Sequence, residues 1–340
     1  MDLEVHMRLF SILILALSGT LWAPCVHATP SAQIEPANPQ NESKNTAPEI
    51  QEQGDLTKRL ESHVRALAAM KRGWDSPGLE KAARYVSNAL TGMGFQVRDQ
   101  SYEAQGRTYR NVIVNIGPAT APLMVIGAHY DSFASLPGAD DNASGVASLL
   151  ALARLLKARE NHLKYRYELA AWTLEEPPFY DTVFMGSYVH AAALKKAGTP
   201  PRIAISLEML GYFSDKANSQ SFPIPQMAQL YPTTGNFITL VGRPEDGKEV
   251  QRFKAAFQEA KRIPVEALLA PTQVKGIDFS DHRSFWAHGY RALMITDTSF
   301  YRNGHYHKET DTAERLDYSR MAAVVQSIDF ALQTLAVDAP

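Results

Sequence analysis

The sequence predicts an α/β fold: a mixed, mainly parallel central sheet flanked by helices on both faces. Three observations carry that expectation. Residues 123–128, 169–174 and 203–207 are short apolar runs without alternation, which is how strands covered on both faces read. Stretches with the apolar periodicity of helices separate such runs. The 340-residue chain is 45% hydrophobic, enough for one sizeable core. Strands alternating with helices form parallel sheets, and ligands then sit at the carboxyl ends of the strands.

The amino terminus reads as an export signal. Residues 9–23 are apolar with Ser, Gly and Thr interspersed, and Val26-His27-Ala28 resembles a small-residue cleavage site. Asp2 and Glu4 precede the lone Arg8, an unusual start that initiation at Met7 would make ordinary. The apolar run falls short of the ~20 residues that span a bilayer, so an uncleaved anchor is the weaker alternative. Residues 1–28 are expected to be a signal peptide that delivers the chain to the periplasm or the cell exterior. Cys25 is the only cysteine and lies inside this segment, so the mature chain could form no disulfide. Residues 29–54, rich in Pro, Asn, Gln, Ser and Glu, read as a disordered linker or a shed pro-segment. Residues 55–340 read as one domain. A formal net charge of −2 gives no basic field for nucleic acid. Nothing beyond the signal calls for a membrane, and the sequence sets no oligomeric state.

Ser76-Pro77 opens the first clear helix, with Ser as cap and Pro in the first turn. Leu79, Ala83, Val86, Leu90 and Met93 form its apolar stripe, and Gly94 ends it. Phe95 and Val97 begin an alternating strand, and residues 111–116 form a second. The run at 123–128 is a central strand, followed by a helix over 144–156. Further strands are expected at 169–174, 203–207, 237–241 and 292–295. Met321, Val324, Val325, Ile328, Leu332 and Leu335 mark a closing amphipathic helix.

The chemistry lies where these strands end. His129 closes the run at 123–128. Asp131, two residues on, points to the same side if the chain stays extended. A carboxylate there could hold the imidazole in one tautomer while its other nitrogen binds a metal; taken alone, the pair is more simply a surface loop. Asp140-Asp141-Asn142 stands just ahead of a helix. Helix capping explains one of those residues and leaves an adjacent acid needing a partner, which two cations would supply. Glu175-Glu176 ends the run at 169–174, and Pro177-Pro178 would fix a turn there. One of the two could bind metal while the other reaches a bound water; two solvated glutamates are an equal alternative. Glu208 ends the run at 203–207 between apolar neighbours. His307 lies in a polar loop, where His282 and His305 compete for the same role.

These residues resemble zinc-dependent exopeptidases of the M28 aminopeptidase group. The matching segments are Gly127-Ala128-His129-Tyr130-Asp131-Ser132, Pro137-Gly138-Ala139-Asp140-Asp141-Asn142-Ala143-Ser144-Gly145, Glu175-Glu176, Ser280-Asp281-His282, and His307 with Asp311-Thr312. They keep the family's order from about residue 55 to the carboxyl terminus. The resemblance implies two Zn2+ per chain and residues 55–340 as a zinc peptidase domain. It makes Asp141 the bridging ligand, with His129 and Glu208 at one metal and Glu176 and His307 at the other. It also makes Glu175 the general base and gives Tyr306 a role in polarising the scissile carbonyl. The implied substrates are peptides or aminoacyl compounds cut from the amino end.

One stretch departs from the common pattern. Pro177 to Met185 replaces the usual Gly-Leu continuation ahead of Gly186-Ser187, which reshapes the pocket rim. Phe179, Tyr180, Tyr212, Phe213, Phe285, Trp286, Phe300 and Tyr301 lie near site segments, some as pocket lining and most as packing. A glutaminyl cyclase-type acyltransferase, a binding domain without catalysis and a carboxypeptidase are the competing readings. The complete ligand set with its glutamate base favours hydrolysis.

Overall fold

The structure is a computed structural model and describes residues 47–337. The expected signal peptide and residues 29–46 of the expected linker lie outside the described residues. The described residues form one compact unit.

Eight strands make one sheet: β1 (Arg98–Ala104), β2 (Arg107–Ile116), β3 (Leu123–His129), β4 (Arg166–Trp172), β5 (Ile203–Glu208), β6 (Ile238–Gly242), β7 (Val265–Leu269) and β8 (Ala292–Thr296). Their spatial order is β1-β2-β4-β3-β5-β8-β6-β7. The middle strands β4, β3, β5 and β8 run parallel, as do β6 and β7. The β1–β2, β2–β4 and β6–β8 pairs are antiparallel. This is the mixed, mainly parallel sheet expected from the apolar runs.

The seven described helices are α1 (Ala47–Ala68), α2 (Pro77–Gly92), α3 (Gly145–Ala158), α4 (Gly186–Lys196), α5 (Gly247–Ala260), α6 (His282–Ala287) and α7 (Tyr318–Val337). None is long and apolar enough to cross a membrane. Successive strand residues feed opposite faces. Met124, Ile126, Leu169, Ala171, Ile205 and Ile295 enter the larger core with residues of α1, α2, α3, α5 and α7. Val125, Ala170, Trp172, Ala204 and Met294 enter a smaller one with residues of α4 and α6. Two covered faces explain why the central strands show no alternation.

Local signals hold in α2: the Ser76 side chain accepts from the Gly78 N–H, and Leu79, Ala83, Val86 and Leu90 are buried. Other boundaries differ from expectation. α1 begins at Ala47, inside the segment read as linker. Its polar start, with Pro48 and Glu49 in the first turn, hid it from an apolar-periodicity reading. β1 starts at Arg98, after Phe95 and Val97. β4 ends at Trp172, two residues before the expected end, because Leu174 takes a left-handed backbone (φ 60°) that turns the chain out of the sheet. The acids at 175 and 176 therefore sit in a turn beyond the strand. Elements α4, α5, α6 and β7 were not expected.

Candidate active site

His129 and Glu208 are the last residues of β3 and β5, and both project to the face covered by α4 and α6. His129 Nε2 lies 3.3 Å from Asp141 Oδ1, 3.3 Å from Glu208 Oε2 and 3.9 Å from Glu175 Oε2. On the other side, His307 Nε2 lies 3.1 Å from Asp141 Oδ2 and 3.2 Å from Glu176 Oε2. Two three-residue groups result, His129–Asp141–Glu208 and Asp141–Glu176–His307, each with ligand atoms within 4.8 Å of one another. Asp141 belongs to both, one carboxylate oxygen facing each histidine.

The loop before α3 sorts its polar residues by hydrogen bond. Asn142 Oδ1 accepts from the N–H groups of Gly145 (3.0 Å) and Met209 (3.1 Å), so of the three polar residues it is the amide that takes the capping part. Its Nδ2 donates to the Leu207 carbonyl at 2.8 Å and ties the loop to the end of β5. Asp140 turns away from the cluster. Its oxygens accept from the Gly211 N–H (2.9 Å) and Asn303 Nδ2 (2.8 Å). Asp141 is left facing both histidines.

Asp131 lies between His129 and the glutamate turn. Its Oδ1 is 3.6 Å from His129 Nδ1, beyond hydrogen-bond range. The carboxylate instead accepts from the N–H groups of Glu175 (3.3 Å) and Glu176 (3.0 Å). Asp131 therefore holds the glutamate turn and also stands close to the Nδ1 edge of His129. Ser280 Oγ donates to Glu208 Oε2 at 2.8 Å and meets Ser206 Oγ at 2.8 Å.

His307 has a left-handed backbone (φ 55°) and stands between two rings. Tyr306 stacks on it at 3.7 Å between centroids, Phe133 at 4.1 Å. Phe133 was not singled out from the sequence; its position two residues after Asp131 was the available signal. The rival histidines point elsewhere. His282 Nε2 bonds the Ile277 carbonyl (2.7 Å), and burial lowers its pKa to about 3. His305 Nδ1 meets Thr310 Oγ1 at 2.9 Å.

Glu175, Glu208, Asp141 and Tyr306 border a cavity of about 850 Å³, part of it open to solvent. It runs along the sheet face over β6, β7 and β8, where Val241, Leu268 and Met294 line it beside Met227, Tyr231 and Phe300. Most of that lining lies outside the recognised motifs, and only the folded sheet assembles it. In the stretch from Pro177 to Met185, Phe179 packs against Trp74 (5.6 Å), and the Tyr180 hydroxyl donates to the Asp278 carbonyl (3.1 Å), while Val183 stays exposed. Phe285 is buried in the smaller core.

The cluster is crowded with acids. Burial, then the charge of Asp141, raises Glu176 to about 8 against the pull of His307. Burial is also the main cause of the raised Glu208, and of Glu175 standing well above the carboxylate range. For Asp141, burial would raise the pKa, but hydrogen bonding and charge from His129 and His307 lower it. Burial opposes the charged form of each histidine, yet the carboxylates lift His129 well above its usual value and His307 to about 10. Burial and the surrounding carboxylates keep the Tyr306 phenol protonated. Asp281, buried behind the site, is raised to about 7, chiefly by burial.

Cations fit this arrangement. His129 Nδ1 and Nε2, His307 Nε2 and Glu176 Oε1 are buried without a hydrogen-bond partner among the described residues. Buried polar atoms are otherwise nearly always paired. Borderline nitrogen donors mixed with carboxylates suit zinc.

Two histidine–carboxylate groups at the strand ends of such a sheet define a class, the zinc peptidases of exopeptidase fold. The model of peptidase family M28 matches residues 111–330, and the chain belongs to that family. The uncharacterized protein YfbL of Escherichia coli (strain K12) is 45% identical over 258 residues, 74% of this chain and 78% of that one. Two solved structures share the fold. A Zn-dependent exopeptidase from Parabacteroides distasonis aligns with a TM-score of 0.62 at 16% identity, over 81% of this chain and 97% of its own. The glutaminyl cyclase of Tannerella forsythia aligns at 0.60 and 19%, over 80% and 96%. The chain spans about half the length of several curated aminopeptidases it matches.

Proposed function

We propose that this protein is an aminopeptidase: it hydrolyses the N-terminal peptide bond of peptides with two zinc ions and Glu175 as general base. One observation carries the reading. Asp141 is shared by two ligand groups while Glu175, beside them, faces the cavity. His129, Asp141 and Glu208 would hold one zinc, and Asp141, Glu176 and His307 the other. Bound there, zinc supplies Lewis acidity toward a carbonyl oxygen and acidifies an attacking water.

The chain's own residues do the rest. The cavity receives the N-terminal side chain and excludes bulk water from the reacting carbonyl. The Glu175 carboxylate takes a proton from the attacking water and delivers it to the leaving amine, so water is consumed and an amine and an acid are released. The Tyr306 hydroxyl, kept protonated, donates to the oxygen on which negative charge develops. The complete ligand set supports hydrolysis over acyl transfer. Residues 1–28 stand as an export signal in this reading, which N-terminal sequencing of the mature protein would check.

The test combines zinc analysis with a panel of aminoacyl-p-nitroanilides and an assay of pyroglutamate formation from N-terminal glutamine. The expected result is two zinc per chain and release of free amino acid. Cyclisation without amide hydrolysis would support the cyclase reading, and a metal-free, inert protein would remove both.

A further inference from the structure

We propose that Arg72 and Asp311 are positioning residues of the metal centre. Together with Asp131 they hold the two acid-bearing turns at the spacing that a pair of cations requires. This rests on the reading of His129, Asp141, Glu176, Glu208 and His307 as ligands.

Each turn is gripped through two successive backbone amides by a single carboxylate. Asp131 accepts from Glu175 and Glu176, as described above. Asp311 does the same for the other turn. Its Oδ1 accepts from the Asp140 N–H at 3.0 Å, and its Oδ2 from the N–H groups of Asp140 (3.2 Å) and Asp141 (3.1 Å). The two grips fix the backbones of Asp141 and Glu176, the acids that share His307.

Arg72 stands behind both grips. It follows α1 and is fully buried. Its guanidinium donates to the carbonyls of Tyr130 (2.8 Å), Leu67 (2.8 Å), Pro137 (2.9 Å) and Gly138 (2.8 Å). Tyr130 immediately precedes Asp131, and Gly138 leads into Asp140-Asp141. The backbone joins in: the Arg72 N–H donates to Ser132 Oγ (3.1 Å), and the Ser132 N–H to the Arg72 carbonyl (3.2 Å). All four guanidinium acceptors are neutral, so the cation remains as a counter-charge for the nearby Asp131, Asp141, Asp311 and Glu176. Gly138 shows how close the contact is. A Cβ there would stand 3.1 Å from Arg72 Nη2 and 2.1 Å from the Asp141 carbonyl, at a backbone φ of 53°. The end of α1 thus shapes a centre to which it gives no ligand.

The test is a zinc titration of the metal-stripped full-length chain, with Tm measured alongside, for Asp311→Asn and Arg72→Met. An amide at 311 turns an N–H2 group toward a backbone N–H and breaks the grip. The affinity for at least one zinc should fall about 10–100-fold, the usual effect of removing a partner behind the ligands. A merely structural role would lower Tm and leave zinc affinity unmoved. Parental affinity at both sites in folded Asp311→Asn overturns the assignment of Asp311, and the same result in Arg72→Met that of Arg72. If Arg72→Met does not fold, Arg72→Lys, which keeps the charge but loses the four-carbonyl fan, takes the same readout. An unsubstituted chain that binds no zinc overturns the ligand reading instead, so the two failures are distinguishable.

Discussion

Asp140-Asp141 and Glu175-Glu176 are both adjacent acid pairs, each in a turn held by its backbone amides, and each sends its second member to His307. The first members differ. Asp140 is fully buried and hydrogen-bonded to Gly211 and Asn303. Glu175 borders the cavity, 3.9 Å from His129 Nε2. The same two-letter pattern therefore gives a first acid tied into the fold in one turn and a first acid facing the cavity in the other. What separates them is whether the surroundings offer donors to the side chain, as the Gly211 N–H and the Asn303 amide do for Asp140.

The comparison breaks most visibly at Asp141. Asp141→Ala removes the one carboxylate common to both groups and should reduce bound zinc from two to one or none, with activity lost. Two zinc ions retained in that variant would contradict the bridging role. Glu175→Gln should keep both metals and lower kcat about 10²–10⁴-fold, the usual contribution of a general base. Near-normal turnover in the zinc-loaded variant would remove Glu175 from that role.

The inner acids differ as well, and pH exposes it. Two histidines bracket Asp141 and lower its pKa, whereas Glu176 is raised to about 8. In the metal-free chain, the stability linked to Glu176 is present below its unfolded value near 4.5 and lost as pH rises through 8. That linked to His307 is likewise lost as pH rises from 6.5 toward 10. The Asp141 contribution is present above 3.8 and constant across this window. Zinc needs deprotonated ligands. The Tm gap between zinc-loaded and EDTA-treated protein should therefore be wider at pH 8 than at pH 5.5. A gap that narrows over that range would argue against these groups as the zinc ligands.

Much of this was legible in the sequence because it is local. Non-alternating runs gave the central strands, and Ser76-Pro77 gave the start of α2. The five expected ligand residues do converge, since each follows a strand end or lies in a recognisable loop. The difference between Asp140 and Asp141 was not legible from the pattern alone, because both precede a helix and either could cap it. It depends on Gly211 and Asn303, both distant in sequence. Asp131 was legible in part: its place beside His129 follows from the spacing of two residues, whereas its bonds to the amides of a turn 44 residues away do not. Arg72 and most of the cavity wall left no signal because their partners are assembled only in the fold; Phe300 and Tyr301, which do line the cavity, were among the aromatics the sequence offered.

The smallest expected effect is the most discriminating for the comparison. Burial, then Asp297 and Asp311, raise Asp140 well above the carboxylate range, so its surroundings disfavour the charged form and an amide is the mildest replacement. Asp140→Asn keeps one acceptor oxygen and turns its N–H2 toward either the Gly211 N–H or the Asn303 amide. One buried hydrogen bond is then lost, at a cost of about 1–3 kcal/mol. For a domain of this size each ~1 kcal/mol corresponds to about 2–4 °C in Tm. Zinc content should stay at two and kcat within about tenfold of the parent, because no atom of Asp140 faces the histidines. A thermal melt, a zinc analysis and one rate measurement check all three. Loss of zinc comparable to that of Asp141→Ala would mean that the two acids act as one unit, and the contrast between the pairs would fall.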